Sequence, residues 1–222
     1  MAAAVTDRGR RARRPSGDDR ERAILTTAER LLEQRPLAEI SVDDLARGAG
    51  ISRPTFYFYF ASKDAVVLAL LDRVAAEADE RREAALADAP ADPREGWRRA
   101  LVAVRDTFRA HRALTAAATQ LLAGSAEVRA LWAQVMEGFV AVTAEAIEAE
   151  RTRGAAPPGP PARDLAVALN AMNERLVQAT LAGQQPAVAE DDLVDVLLVV
   201  WLRAIYGTED PTRRRPARHP VE

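Results

Sequence analysis

Apolar residues recur along most of this chain at three- and four-residue spacing, and only short polar or proline-containing breaks interrupt the repeat. Ile24, Leu25, Ala28, Leu31 and Leu32 form the first stripe, the signature of one buried helix face. Asp18 is placed as its N-cap with Glu21 at the third helical position, and Pro36 ends it. Ser41-Val42-Asp43-Asp44 then reads as a capping box in acidic form, with Ile40 and Leu45 positioned for a hydrophobic staple. Gly48 and Gly50 close this second helix early, and Gly50 suits the positive φ of a tight inter-helix turn.

The next stretch, GISRPTFYFYFASKDA (Gly50–Ala65), carries Phe56, Tyr57, Phe58, Tyr59 and Phe60 in unbroken order. Its alternation has the period of an edge strand. Ser52 as an N-cap, Pro54 in the first turn and the absence of a partner strand decide for helix. On that helix Phe56 and Phe60 share a face as core pins, while Tyr57, Phe58 and Tyr59 occupy the others. Ser62 caps a further helix running to about Asp88, and helical patterns follow over 93–111, 112–123, 126–153, 163–182 and 190–206. The strongest break among them is GAAPPGPP, Gly154–Pro161. The pattern predicts an all-α chain.

Composition narrows the function classes. With 48% hydrophobic and 29% charged residues in 222, the chain can bury a core and remain soluble. It has no cysteine, which excludes disulfides, a thiolate nucleophile and Cys-based metal sites. The N-terminus lacks a signal-like apolar region and no run of some twenty apolar residues occurs, so a cytoplasmic protein without membrane spans is expected. The only histidines are His111 and His219, and no Ser/His/Asp order, phosphate loop or metal-ligand spacing emerges. An enzyme, a metal and a cofactor are therefore not expected.

Charge is unevenly placed. Residues 1–14 hold five arginines against Asp7, whereas residues 15–60 hold six arginines against eight acids. Lys63 is the only lysine. The expected organisation is a disordered basic arm over 1–17, a helix-turn-helix domain over 18–64, a larger domain over 65–207 and a disordered tail over 208–222.

Two short helices joined by a glycine turn after a longer helix form a helix-turn-helix layout, with Ala46 permitting a close crossing. Generic two-helix packing is the alternative. In a DNA-reading unit the second helix enters the major groove, N-terminal residues first. Arg53 is suited to guanine and the Pro54 ring to a thymine methyl. Tyr57 and Phe58 share that side, while Ser41, Thr55, Tyr59 and Lys63 suit phosphates. The arginine arm either adds minor-groove contacts or is a solvated leader.

In the larger domain Trp97, Phe108, Trp132, Met136 and Phe139 lie on central helices. Asn173 is in register with Leu165, Leu169 and Leu176, so an amide is expected in an apolar region. It is either bonded to another helix or available to a ligand. The last helix, apolar without a break from Val196 to Leu202, is expected to form a dimer interface with the 163–182 helix; burial within the chain is the other reading.

The segment ISVDDLARGAGISRPTFYFYFASKDA (Ile40–Ala65) resembles the DNA-binding domain of the TetR family of one-component bacterial regulators. AERTRGAAP, LNAMNER and IYG extend the resemblance to one subfamily over roughly residues 20–207. It implies a nine-helix homodimer, with three helices for DNA and six for ligand binding and dimerisation. By position, Arg53, Pro54 and Tyr57 face bases, and Ser41, Thr55, Tyr59 and Lys63 meet the backbone. A hydrophobic tunnel is implied, lined by Trp97, Val104, Phe108, Met136, Phe139, Val142, Thr143, Asn170, Asn173 and Trp201. Relatives carry aromatics where this chain has Val104 and Val142, so the tunnel is expected to be wider there. The implied function is repression at a palindromic DNA operator, relieved by a small hydrophobic effector. The alternatives are an architectural DNA-binding protein without a ligand, a hydrolase or a lipid-binding protein.

Overall fold

The computed structural model describes residues 17–87 and 92–212. The arginine arm up to residue 16, the chain beyond 212 and His219 lie outside them. Among the described residues all repetitive structure is helical: α1 (Gly17–Leu32), α2 (Val42–Gly48), α3 (Arg53–Tyr59), α4 (Lys63–Ala87), α5 (Pro93–Ala110), α6 (Arg112–Gly124), α7 (Ala126–Thr152), α8 (Ala162–Ala182) and α9 (Leu193–Tyr206). The chain divides into two compact units, Met1–Val66 and Val67–Glu222, with the division inside the first turn of α4.

In the first unit α2 packs on α1 and on α3. Ile24, Leu45, Ala46 and Phe56 are buried, and full burial of a ring such as Phe56 contributes about 1.5–3 kcal/mol. The capping box forms as expected: Asp44 N–H donates to Ser41 Oγ (3.1 Å), and Ser41 N–H to Asp44 Oδ2 (3.0 Å). Ile40 and Leu45, the expected staple pair, are each 2% exposed. The turn after α2 is a Schellman arrangement. Ile51 N–H donates to Ala46 O (3.0 Å) and Gly50 N–H to Arg47 O (3.1 Å), with Gly50 at φ 68°. Close crossing depends on Gly48 as well as Ala46, because a Cβ at Gly48 would lie 2.4 Å from Thr27 Cγ2. Two local expectations shift. α1 starts at Gly17, which puts Asp18 inside the first turn, and Leu37–Glu39 form a 3-10 turn that periodicity over three residues does not reveal.

In the second unit α7 lies along α8, α5 against α9, and α6 against α7 and α8. Asp92 caps α5 and Ser125 caps α7 through their side chains. α7 is long and apolar enough to cross a membrane by length and composition. Its Val128, Val140 and Ile147 are instead buried in the helical unit. α9 buries Leu193, Val194, Leu197, Leu198, Trp201, Leu202, Ile205 and Tyr206 within the chain, so intramolecular packing takes most of its apolar surface. Residues 208–212, expected in the disordered tail, are held: Arg94 Nη1 donates to Glu209 O (2.8 Å), and Thr212 N–H to Asp210 Oδ1 (3.2 Å).

Candidate DNA-reading face and effector cavity

The four rings of α3 and that of Phe60, its extended C-cap residue, separate by face. Phe56 is fully buried and Phe60 is 8% exposed, whereas Phe58 is 83% and Tyr57 47% exposed. The side chain of Ser52 accepts the Thr55 N–H, and Pro54 occupies the first turn, so the short helix starts without an unused donor at that position. Arg53 lies on the exposed side. Its Nη1 donates to Asp43 Oδ2 on α2 (3.1 Å) and its Nη2 to the Tyr57 hydroxyl (3.3 Å). The guanidinium also stands 5.8 Å from the Tyr57 ring centroid. The bond to Tyr57, and then the charge of Asp43, raise the Arg53 pKa above its ordinary value. Two helices thus hold one cation in a fixed fork.

The residues expected at phosphates are less free than their types suggest. Ser41 donates its hydroxyl to Asp44 Oδ2 (2.7 Å), so that hydrogen is spent in the capping box. The hydroxyls of Thr55 and Ser52 share one bond (2.8 Å), which leaves one O–H between them. Tyr59 is half-buried. Lys63 Nζ donates to Leu37 O (2.8 Å) and Ile40 O (3.0 Å), committing two of its three hydrogens to the first carbonyl of the 3-10 turn and to that of the residue that ends it. The sole lysine therefore ties the start of α4 to the loop before α2.

The second unit encloses a narrow cavity between α4, α5, α6, α7, α8 and α9, with ≈ 90 Å³ open to water-sized molecules. All ten residues expected around a ligand line it: Trp97, Val104, Phe108, Met136, Phe139, Val142, Thr143, Asn170, Asn173 and Trp201. Trp97 and Trp201 lie 5.1 Å apart between ring centroids, and Phe108 meets Trp132 edge-on at 6.2 Å. Trp97 donates its indole N–H to the Tyr206 hydroxyl (3.0 Å). Burial raises the Tyr206 pKa, the Trp97 bond opposes this and Glu150 adds to it; the phenol stays protonated.

The asparagines supply the polar points. Asn170 is buried and donates through Nδ2 to Thr143 Oγ1 (3.1 Å) and Ala166 O (2.9 Å). Asn173 Oδ1 accepts from Trp201 Nε1 (3.0 Å). Among the described residues, Asn170 Oδ1 and Asn173 Nδ2 make no hydrogen bond, so each amide is both helix-bonded and half unspent. The ten expected residues leave out Arg82, Thr115, Trp132, Glu174 and Gln178, which also line the cavity. Glu174 and Gln178 continue the stripe of Asn170 and were legible by i, i+4 spacing. Arg82 carries no such signal, because a charged residue in that stretch of α4 reads as a solvated face.

A reading helix held over a glycine turn, in a chain whose other unit encloses a mostly apolar cavity with few polar points, defines a helix-turn-helix transcriptional regulator rather than an enzyme. The chain belongs to the TetR family and is of the EthR type. Residues 24–70 match the model of bacterial regulatory proteins of the tetR family, and residues 97–207 that of the transcriptional regulator EthR, C-terminal domain. It is 57% identical over 202 residues to the HTH-type transcriptional regulator EthR of Mycobacterium tuberculosis, covering 90% of this chain and 93% of that one. To EthR of Mycolicibacterium smegmatis it is 53% identical over 203 residues, with 91% and 94% covered. A TetR-family regulator from Streptomyces coelicolor shares the fold, with a TM-score of 0.64 at 21% identity over 85% of this chain and 81% of that one.

Proposed function

We propose that the protein is a ligand-responsive repressor, in which a homodimer holds a palindromic operator and a small hydrophobic effector in the cavity releases it. The observation that carries this reading is the pair of half-unspent amides, Asn170 and Asn173, in a cavity otherwise walled mainly by apolar side chains. Polar groups in such surroundings cost free energy unless partnered, and a guest with one donor and one acceptor completes both.

On DNA, Arg53, Pro54, Tyr57 and Phe58 are assigned to base edges, and Thr55, Tyr59 and the remaining N–H of Lys63 to the backbone; Ser41, expected at a phosphate, gives both its N–H and its O–H to Asp44 and is left out. Val167 on α8 with Val196 and Val200 on α9 are large apolar residues left exposed, at 45%, 39% and 38%. Their place on these two helices supports the dimer contact, and two-fold symmetry then requires a palindromic site. Release requires the effector to prefer the state that does not fit DNA. A full switch between the two states takes about 10⁴-fold differential affinity.

The test starts with the DNA flanking the gene, footprinted with the full-length protein. Compounds that raise its melting temperature are then added to the operator complex. Dissociation by cavity-binding compounds, lost in Asn173→Ala, is the expected result. A complex that survives every cavity ligand overturns the effector part, and absence of any footprint overturns the operator part.

A further inference from the structure

Two charged residues line the cavity, Arg82 on α4 and Glu174 on α8. They do not neutralise each other, because no ion pair within 4.0 Å joins them. Glu174 Oε1 instead accepts from Trp132 Nε1 and from Gln178 Nε2. Arg82 is only 8% exposed and shares the cavity lining with rings, aliphatic groups and the polar Thr115, Thr143, Asn170, Asn173 and Gln178. A guanidinium carries five N–H donors. Nε and Nη2 of Arg82 both converge on one atom, Asp79 Oδ1 (3.2 and 2.5 Å), and Nη1 donates to no described residue. Its other acidic neighbour, Glu83, is 4.0 Å away. Asp79 and Glu83 lie on the same helix with side chains 47% and 70% exposed, so water weakens their hold.

We propose that the effector is an amphiphile of the aliphatic carboxylic acid class, whose carboxylate pairs with Arg82 while its chain lies among the cavity's rings. The inference rests on the effector-cavity reading above and narrows its ligand class. A carboxylate bound inside the cavity meets the guanidinium away from solvent, where charge-assisted, forked bonds are strongest. It uses Nη1, to which no described residue presents an acceptor. Glu174 repels an anion from its own side of the cavity, so the two charges also set the direction of the chain. The lining residues of α7, Trp132 to Ala146, extend roughly 20 Å along the helix axis, a run suited to an unbranched chain.

The experiment compares decanoate, 1-decanol and decylammonium, each below its aggregation concentration, on the full-length protein by calorimetry. Decanoate is expected to bind at least about tenfold more tightly than 1-decanol, with decylammonium weakest. Arg82→Met should erase the preference for decanoate over 1-decanol. Arg82→Lys, which retains the charge and loses the fork, should fall between the two. If Arg82→Met fails to fold, the ranking of the three probes on the unaltered protein still decides. Equal binding of decanoate and 1-decanol, a preference for decylammonium, or a preference for decanoate that survives Arg82→Met overturns the carboxylate assignment and leaves the cavity reading standing. If none of the three binds, this inference falls, and the operator experiment above decides the cavity reading.

Discussion

Trp201 donates its indole N–H to Oδ1 of Asn173 across 3.0 Å and thereby fixes which way that amide faces. Indole nitrogen only donates, so the oxygen must point to it and Nδ2 must point elsewhere. Trp201→Phe keeps a ring beside Trp97 and removes the one donor that holds Asn173. The expected cost is about 1–3 kcal/mol, read as a lower urea midpoint, because the amide oxygen loses its partner. Asn173 can then turn over, so the variant should lose discrimination between matched effectors that differ only in presenting an acceptor or a donor. An unchanged ratio of their affinities would show that the amide does not face the guest.

Arg53 should matter for which sequence is bound more than for whether DNA is bound. Asp43 and Tyr57 hold its two terminal nitrogens, a pre-set fork for a planar pair of acceptors. Arg53→Lys keeps the positive charge and loses the fork. Loss of a bidentate base contact costs about 1–3 kcal/mol of discrimination, whereas the salt dependence of binding should be unchanged. Competition between the operator and variants with one altered base pair measures this. Equal loss on every sequence would reassign Arg53 to a phosphate.

How far the sequence reveals such sites depends on what each residue's own element can tell. Ser41, Asp44, Gly50, Ser52 and Pro54 act within their own turns, and their roles followed from spacing alone. Phe56 followed from the helical period; Phe60, expected on the same helix, is buried as expected but as the extended residue that ends α3. Lys63 could be assigned to a phosphate only by type, because the carbonyls that take its hydrogens belong to Leu37 and Ile40, more than twenty residues earlier. The ten expected cavity residues came through partly by their aromatic character and mainly by family resemblance. Arg82 stayed hidden because its inward placement depends on how α4 meets the other helices, which the local charge pattern contradicts.

The turn between α2 and α3 gives a stability prediction. Gly50 sits at φ 68°, where any L-side chain is strained by about 1–2 kcal/mol. Nothing lies within 4 Å of a Cβ built there, so strain alone operates. At Gly48 the order reverses: the backbone is helical, but a Cβ meets Thr27 Cγ2 at 2.4 Å. Gly48→Ala should therefore push α1 from α2 and be partly rescued by Thr27→Ser, which removes that methyl. Gly50→Ala should show no such rescue. Melting temperatures of the two glycine variants, each with and without Thr27→Ser, separate the two mechanisms.

Acid should weaken the first unit through the capping box. Ser41, first by its hydroxyl and then by its backbone N–H, holds the Asp44 carboxyl below its ordinary value of 3.8, and Arg35 adds to this. A folded-state pKa below the unfolded one gives stability that is fully present above the unfolded value. It is lost as pH falls through the folded one. Asp44→Asn should flatten the acid limb of stability against pH relative to the unaltered protein, while changing little of its shape near neutrality. An identical acid limb would show that other carboxylates set it.

The last prediction concerns the five arginines of residues 1–14, which precede a segment of net negative charge. A DNA-binding segment with more acids than bases needs cations from elsewhere, because phosphate neutralisation dominates affinity. If the arm supplies them, its deletion should reduce the slope of log affinity against log salt by about 0.9 for each phosphate that it had neutralised. The fall in affinity should be similar on operator and unrelated DNA if the arm meets only phosphates. It should be larger on operators with A·T-rich flanks if the arm lies in a minor groove, where narrow width concentrates negative potential. Salt titrations of the full chain and of a chain lacking residues 1–14, on both kinds of flank, distinguish the two. A slope unchanged by the deletion would mean that the arm does not touch DNA.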